Sequence, residues 1–293
     1  TRDLDVFMAN LLDAETTGVV TATIVSSESV EILKTLTGVN AYNITINTSD
    51  ATSTTAADLN AINALTSDTV NLTNVTALAA SSLSDLDTLG AAITNNEFRN
   101  DTGLTTLAIS DTTIDATALA STIDSYDVIN GDSTTGMTLA AGATINVDAS
   151  EVTEMLADET AGRLTINDQV ITVTGEISAN DAARLSATTS GLLTATILET
   201  TVNDLMALSP DRNALTIRIT DSSVDAIDLP HLDFSTSLAI DASLVNEITG
   251  DSGLIYHVYR GMNNKFTGIE DANLIVTRDL DVFMANLLDA ETT

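Results

Sequence analysis

Acidic side chains are the groups in this sequence with the most chemistry to offer. Glu151, Glu154 and Asp158 follow one another at i, i+3 and i+7, which on a helix sets three carboxylates along one face. Oxygen ligands of that kind suit a hard cation, and calcium is the candidate cofactor for so acidic a repeat. Asp132 beside Gly131 and Asp251 beside Gly250 are further, weaker calcium candidates. The glycine-rich calcium nonapeptide and the Asp-x-Asp-x-Asp-Gly loop are both absent, so a solvated helix face accounts for the same residues. His231 and His257 are the only histidines, and no third ligand accompanies them. With no cysteine, thiolate metal sites, disulfides and a cysteine nucleophile are excluded. No Ser–His–Asp arrangement, P-loop or dinucleotide fingerprint can be assembled. Asp58, Asp181 and Asp228 recur once per unit at the first turn of a helix, where a carboxylate complements the free N–H groups. A glycan-cleaving carboxylate pair needs one unique cleft, whereas these are reiterated. The chain therefore reads as a protein without catalysis.

Aromatic and basic residues concentrate once, in Tyr256, His257, Tyr259, Arg260, Lys265 and Phe266. Tyr and Arg are common interface anchors, so this stretch is a candidate contact patch for a neighbouring repeat, a neighbouring fibre or a glycan. The competing expectation is a lateral loop whose aromatics plug the side of the fold. Thr-x-Thr pairs at Thr21/Thr23, Thr172/Thr174 and Thr194/Thr196 follow from the strand preference of threonine and need no ligand.

The composition sets what must position these groups. The 293 residues carry 10 Lys+Arg against 42 Asp+Glu, a net charge of −32. A phosphate backbone needs clustered cations, so nucleic acid is excluded as a natural partner. Apolar residues make up 44% and aromatics 3%, so the core is aliphatic and the chain is not a disordered acidic tail. No apolar run is long enough for a membrane span. The sequence opens on Thr1 without methionine or signal peptide, which reads as a piece of a longer protein.

Residues 1–17 and 277–293 are the same sequence, TRDLDVFMANLLDAETT, at an offset of 276 residues. Chance does not produce such identity. Residues 1–276 are expected to be one long tandem repeat and 277–293 the start of the next; the alternative is an appended capping segment. A shorter frame recurs within, with Asp58, Leu59, Ile62 and Thr66 matching Asp228, Leu229, Leu232 and Thr236, and again through Asp181, Leu185 and Thr189. About five units of ~55 residues result, each divisible into two halves of a strand, a turn and a short helix. Alternating stretches predict strands near Val20, Tyr42, Val70, Thr144, Leu164, Ile171, Leu193 and Leu215, and also near Thr105, Val128 and Leu254. The expected fold is therefore an all-β, parallel β-helix-like solenoid of ~23-residue coils with short helices on one side. At its open ends, Phe7, Leu11 and Leu12, and their copies Phe283, Leu287 and Leu288, are expected to be interface residues, the latter three against the coil from Leu254 to Val276.

The frame carried by Asp58 to Val75, Ala179 to Ile197, Ala226 to Ile248 and Leu12 to Ile24 resembles the repeats of giant cell-surface proteins of marine cyanobacteria, including those linked to swimming motility. The stretch Tyr256 to Phe266 departs from that frame. The resemblance implies secretion, an extracellular or cell-surface location and a scaffolding or motility role, and it supplies no catalytic residues. The expected function is a structural repeat of a giant surface protein that builds a filament, fibre or layer by end-to-end stacking, with itself as principal partner. The alternative is an adhesin module that binds glycan or another cell.

Overall fold

The computed structural model describes residues 3–99, 104, 106–130, 136–261, 265–278 and 282–291. Two compact units divide the chain: residues 1–143 with 157–166, and residues 144–156 with 167–293. Among the described residues there are eleven α-helices. The helices α1 (Val6–Glu15), α2 (Val30–Leu33), α3 (Ala56–Asn63), α4 (Leu83–Thr94) and α5 (Ala116–Asn130) belong to the first unit. After α6 (Val152–Thr160), the second unit holds α7 (Ala179–Thr188), α8 (Val202–Leu205), α9 (Leu229–Ser235), α10 (Ser252–Gly261) and α11 (Val282–Glu291).

These helices overturn the all-β solenoid. The protein is mixed α/β, with several short parallel sheets and helices as long as fifteen residues. Two of the expected strands are helical. Val128 lies in α5, which buries Ala116, Leu119, Ile123 and Tyr126 at spacings of three and four. Leu254 lies in α10, which buries Ile255 and Val258. In α5 the first turns hold Ala116, Ala118, Leu119 and Ala120, all strong helix formers. In α4, Ser82 accepts a hydrogen bond from the Asp85 N–H, and Leu83, Leu86, Leu89 and Ile93 form the buried stripe. Residues Ser223–Asp225 form a strand, and α9 starts at Leu229 with Pro230 in its first turn.

Strands within each unit pair in parallel with a strand 20 to 30 residues further on, from Thr21↔Ala41 to Thr106↔Gly136. In the first unit Thr21–Thr23, Ala41–Thr45, Val70–Asn71 and Phe98–Arg99 are adjacent in sequence order, and Thr106–Ala108, Gly136–Thr138 and Leu164–Thr165 make a second ladder. The second unit orders Thr144–Asp148, Val170–Ile177, Leu193–Ile197 and Ala214–Thr216 in one ladder, then Ser223–Asp225, Glu247–Gly250 and Asn273–Val276 in another. Alternation works as expected where the strand is real: Tyr42, Ile44 and Ile46 are buried while Ala41, Asn43 and Thr45 are half-buried.

The recurring threonine of the sequence frame ties each turn to the one before it. Thr66 is buried and donates to the Tyr42 carbonyl at 2.7 Å while accepting from the Tyr42 N–H at 3.0 Å. Thr236 does the same to Leu215, at 2.7 and 3.1 Å, and Thr189 donates to the Gln169 carbonyl at 2.6 Å. The serine that comes next in the frame extends the tie, with Ser67, Ser190 and Ser237 each donating a backbone N–H to Asn40, Asn167 and Asn213 at 2.7 Å. Close approach between turns also needs glycine. Gly268, at φ +87°, leaves room for Ser243, whose Cα would lie 2.6 Å from an added Cβ.

Candidate functional site

The two copies of the duplicated segment form helices of identical extent, α1 and α11, ten residues each. They bury different faces. Val6 is 3% exposed, whereas its copy Val282 is 78% exposed. The opposite holds for Leu12 at 42% and its copy Leu288 at 5%. The same helix is thus seated on residues C-terminal to it in the first copy and on residues N-terminal to it in the second.

The seat under α1 is built from residues 23–42. Leu4 pairs in parallel with Ile24: its N–H donates to the Thr23 carbonyl and its carbonyl accepts from the Val25 N–H, both at 2.9 Å. Asp5 caps the helix by accepting from the Met8 N–H at 2.7 Å, and Glu28 accepts from the Val6 N–H at 3.2 Å. Asn10 donates to the Thr35 carbonyl at 2.8 Å and accepts from the Thr37 N–H at 2.9 Å. Asp13 accepts from Thr37 Oγ1 at 2.8 Å and from Asn40 Nδ2 at 2.9 Å, and these bonds hold its carboxyl below the usual carboxylate range. Gly38 has φ +68°, and an added Cβ would fall 2.7 Å from Asp13 Oδ1, so this corner of the seat requires glycine.

At the other end α11 lies against α10, and Leu288 joins Ala272, Leu274 and Val276 along a shallow cleft. Leu287 is half-buried. Phe283 does not pack as expected: it is 69% exposed, and Phe7 is 74% exposed. Leu11 is exposed as well. The phenylalanine thus faces outward in both copies, away from either seat.

The six residues of the aromatic and basic stretch do not share one exposed surface. Tyr259 turns inward and donates to the Ile269 carbonyl at 2.9 Å, and burial, with Glu270 and Asp271 nearby, pushes its phenol up to about 12. Phe266 is buried in a strand paired with Ile240–Asp241. Lys265 donates to the carbonyls of Thr236 and Ser237 at 3.3 and 3.2 Å and stands 3.6 Å from Asp233. His257 and Arg260 are exposed on α10, and Tyr256 is half-buried there. His231 contacts the Leu208 carbonyl at 2.9 Å.

Nor do the calcium candidates converge. Asp158 is paired with Arg163 at 3.0 Å, and the same guanidinium reaches Asp124 at 2.6 Å and Asp127 at 2.7 Å. Glu151 accepts from the Asp148 N–H at 3.4 Å, and Glu154 is exposed. Asp251 accepts from the Gly253 N–H at 2.9 Å at the start of α10. Asp132 lies outside the described residues. Among the described residues, no group of three or more His, Asp or Glu side chains is placed to hold a metal ion.

Carboxylates have another use that the spacing hid. The first N–H of a helix is taken by an acid from the next turn of the chain: Val30 by Asp50 at 3.0 Å, Leu83 by Asp111 at 2.8 Å, Ala179 by Glu199 at 2.6 Å and Val202 by Asp221 at 2.7 Å. Glu28 on Val6 belongs to this set. Two of the three frame aspartates, Asp58 and Asp181, accept from the hydroxyl that caps their own helix, Thr55 and Ser178. Asp58 completes a capping box with Thr55 and pairs with Lys34 at 2.7 Å, whereas Asp228 makes no side-chain cap bond. Among the described residues no helix is long and apolar enough to cross a membrane. Neither protein-family profiles, nor curated proteins, nor solved structures gave a match to this chain.

Proposed function

We propose that this chain is a structural repeat of a larger extracellular or cell-surface protein. In that protein, successive 276-residue copies join end to end by continuing the same parallel pairing. The observation that carries the reading is the duplicated helix: identical in sequence and extent, it buries Val6 at one end and Leu288 at the other. In an array each copy of the helix lies between the preceding α10 and the next copy's residues 23–42, and both faces are covered. The joint needs no linker. The charge of −32 supports a scaffold of laterally separated copies, since neighbours of like sign repel.

The alternative reading, a glycan-binding adhesin, needs Tyr256, Tyr259 and Arg260 around one exposed pocket. Tyr259 is committed to Ile269 instead. Electron microscopy of arrays of two, three and four copies tests the proposal. Objects that lengthen by a constant step per copy support it; broad length distributions with flexible gaps between copies overturn it.

A further inference from the structure

We infer that the C-terminal helix α11 of one chain can occupy the α1 seat of a second copy, so that separate chains join head to tail by helix exchange. This rests on the reading of the chain as one period of a repeating array, and it adds a non-covalent route to the same joint. The partner is a second copy of this chain, and the chain itself supplies the template for the contact.

Every α1 residue that meets the seat has its duplicate on α11. Val6, Ala9, Asn10 and Asp13 are repeated as Val282, Ala285, Asn286 and Asp289. Val6 and Ala9 are buried in the seat, while Val282 and Asn286 are exposed on α11. The contacts offered to an incoming helix are those already seen for α1: the Glu28 carboxylate for the first N–H, the Thr35 carbonyl and Thr37 N–H for the asparagine amide, and Thr37 and Asn40 for the aspartate. An identical sequence in an identical seat gains the same side-chain contacts. What decides between the helix in place and the one arriving is therefore concentration, because the resident α1 is tethered to its seat and the incoming α11 is not.

Ala9 gives a way to bias the competition. It is fully buried under α1, so Ala9→Asp places an uncompensated carboxylate in the seat and releases α1, while Ala285 on α11 is untouched. The cysteine-free chain permits a direct readout. Thr37 Oγ1 lies 3.3 Å from Asn10 Oδ1, so Thr37→Cys with Asn286→Cys places a thiol pair across the exchanged joint and none within one seat. The pair comes at the expense of the asparagine amide and threonine hydroxyl bonds there, which Ala9→Asp offsets by removing the competing helix.

The full chain with this cysteine pair, oxidised at rising concentration, should give a ladder of covalent oligomers. Adding Ala9→Asp should increase the ladder at least ~10-fold, as expected when release of α1 shifts the competition by more than about 1.4 kcal/mol. Adding Ala285→Asp as well should abolish it. Absence of a ladder in both backgrounds, or a ladder that Ala285→Asp leaves intact, overturns the exchange. Should Ala9→Asp lose its circular dichroism, the pair in the otherwise unsubstituted chain decides by the same criterion. Failure here with constant-step lengthening of linked arrays would leave the structural-repeat reading standing, so the two fail separately.

Discussion

Replacing Thr236 by valine keeps the shape of the side chain and removes one oxygen. That oxygen donates to the Leu215 carbonyl at 2.7 Å and accepts from the N–H groups of Leu215 and Leu238, each at 3.1 Å. Thr236 and Leu215 are both buried, so no water replaces the lost partner. A buried polar group left unsatisfied costs about 1–3 kcal/mol, and Leu215 would hold two of them. We expect Thr236→Val to lower stability by about 2–4 kcal/mol, measured as a shift in urea midpoint at constant slope. Thr236→Ser restores the hydroxyl and deletes one methyl, which should cost about 1 kcal/mol. If valine is tolerated within about 0.5 kcal/mol, or serine is the worse of the two, the hydroxyl is not what ties successive turns together.

Gly268→Ala should lower the melting temperature by several degrees, because its Cβ would meet the Ser243 Cα at 2.6 Å while φ stays at +87°; an unchanged melting curve would show that the turn relaxes freely. Asp58 supplies a pH dependence. Burial pushes its carboxyl up, but the bonds from Lys34 and Thr55 outweigh this and hold it below the usual range. Its contribution is therefore present above the unfolded value of about 3.9 and is lost as pH falls through the lower folded value. Urea titrations from pH 6 down to 2 should show a shallower acid limb in Asp58→Asn, and identical limbs would contradict the assignment. With −32 charges per chain, light scattering should report more lateral association as salt or divalent cations rise. Scattering independent of both would remove charge as the force that keeps copies apart.

The duplicated ends and the ties between turns are legible in the sequence, and much of the fold class is not. The duplication of residues 1–17 marks both ends, and the threonines of the repeat frame mark the ties between turns, because both are recurrences that need no geometry to see. The helices were underestimated. Around Val128 and Leu254 short apolar stretches fit either period, and only the positions of Leu119, Ile123, Tyr126, Ile255 and Val258 relative to a core decide for helix. Glu28, Asp50, Asp111, Glu199 and Asp221 are not visible as caps in the sequence because each acts on an N–H 19 to 28 residues earlier. Such a bond exists only once the register between turns is known. Phe7 and Phe283 belong to an apolar set of mixed helical and strand spacing, and only the observed helix phase shows that they face outward.

If one copy continues into another as proposed, the duplicated helix is covered on both faces. Hydrogen exchange at Val282–Glu291 measures this directly, comparing the 293-residue chain with one in which residues 18–293 are added once more after residue 293. The amides of this helix should exchange at least ~10-fold more slowly in the longer chain, as the open Val282 face is covered and opening becomes costlier. Equal exchange in the two chains would contradict end-to-end continuation of the fold.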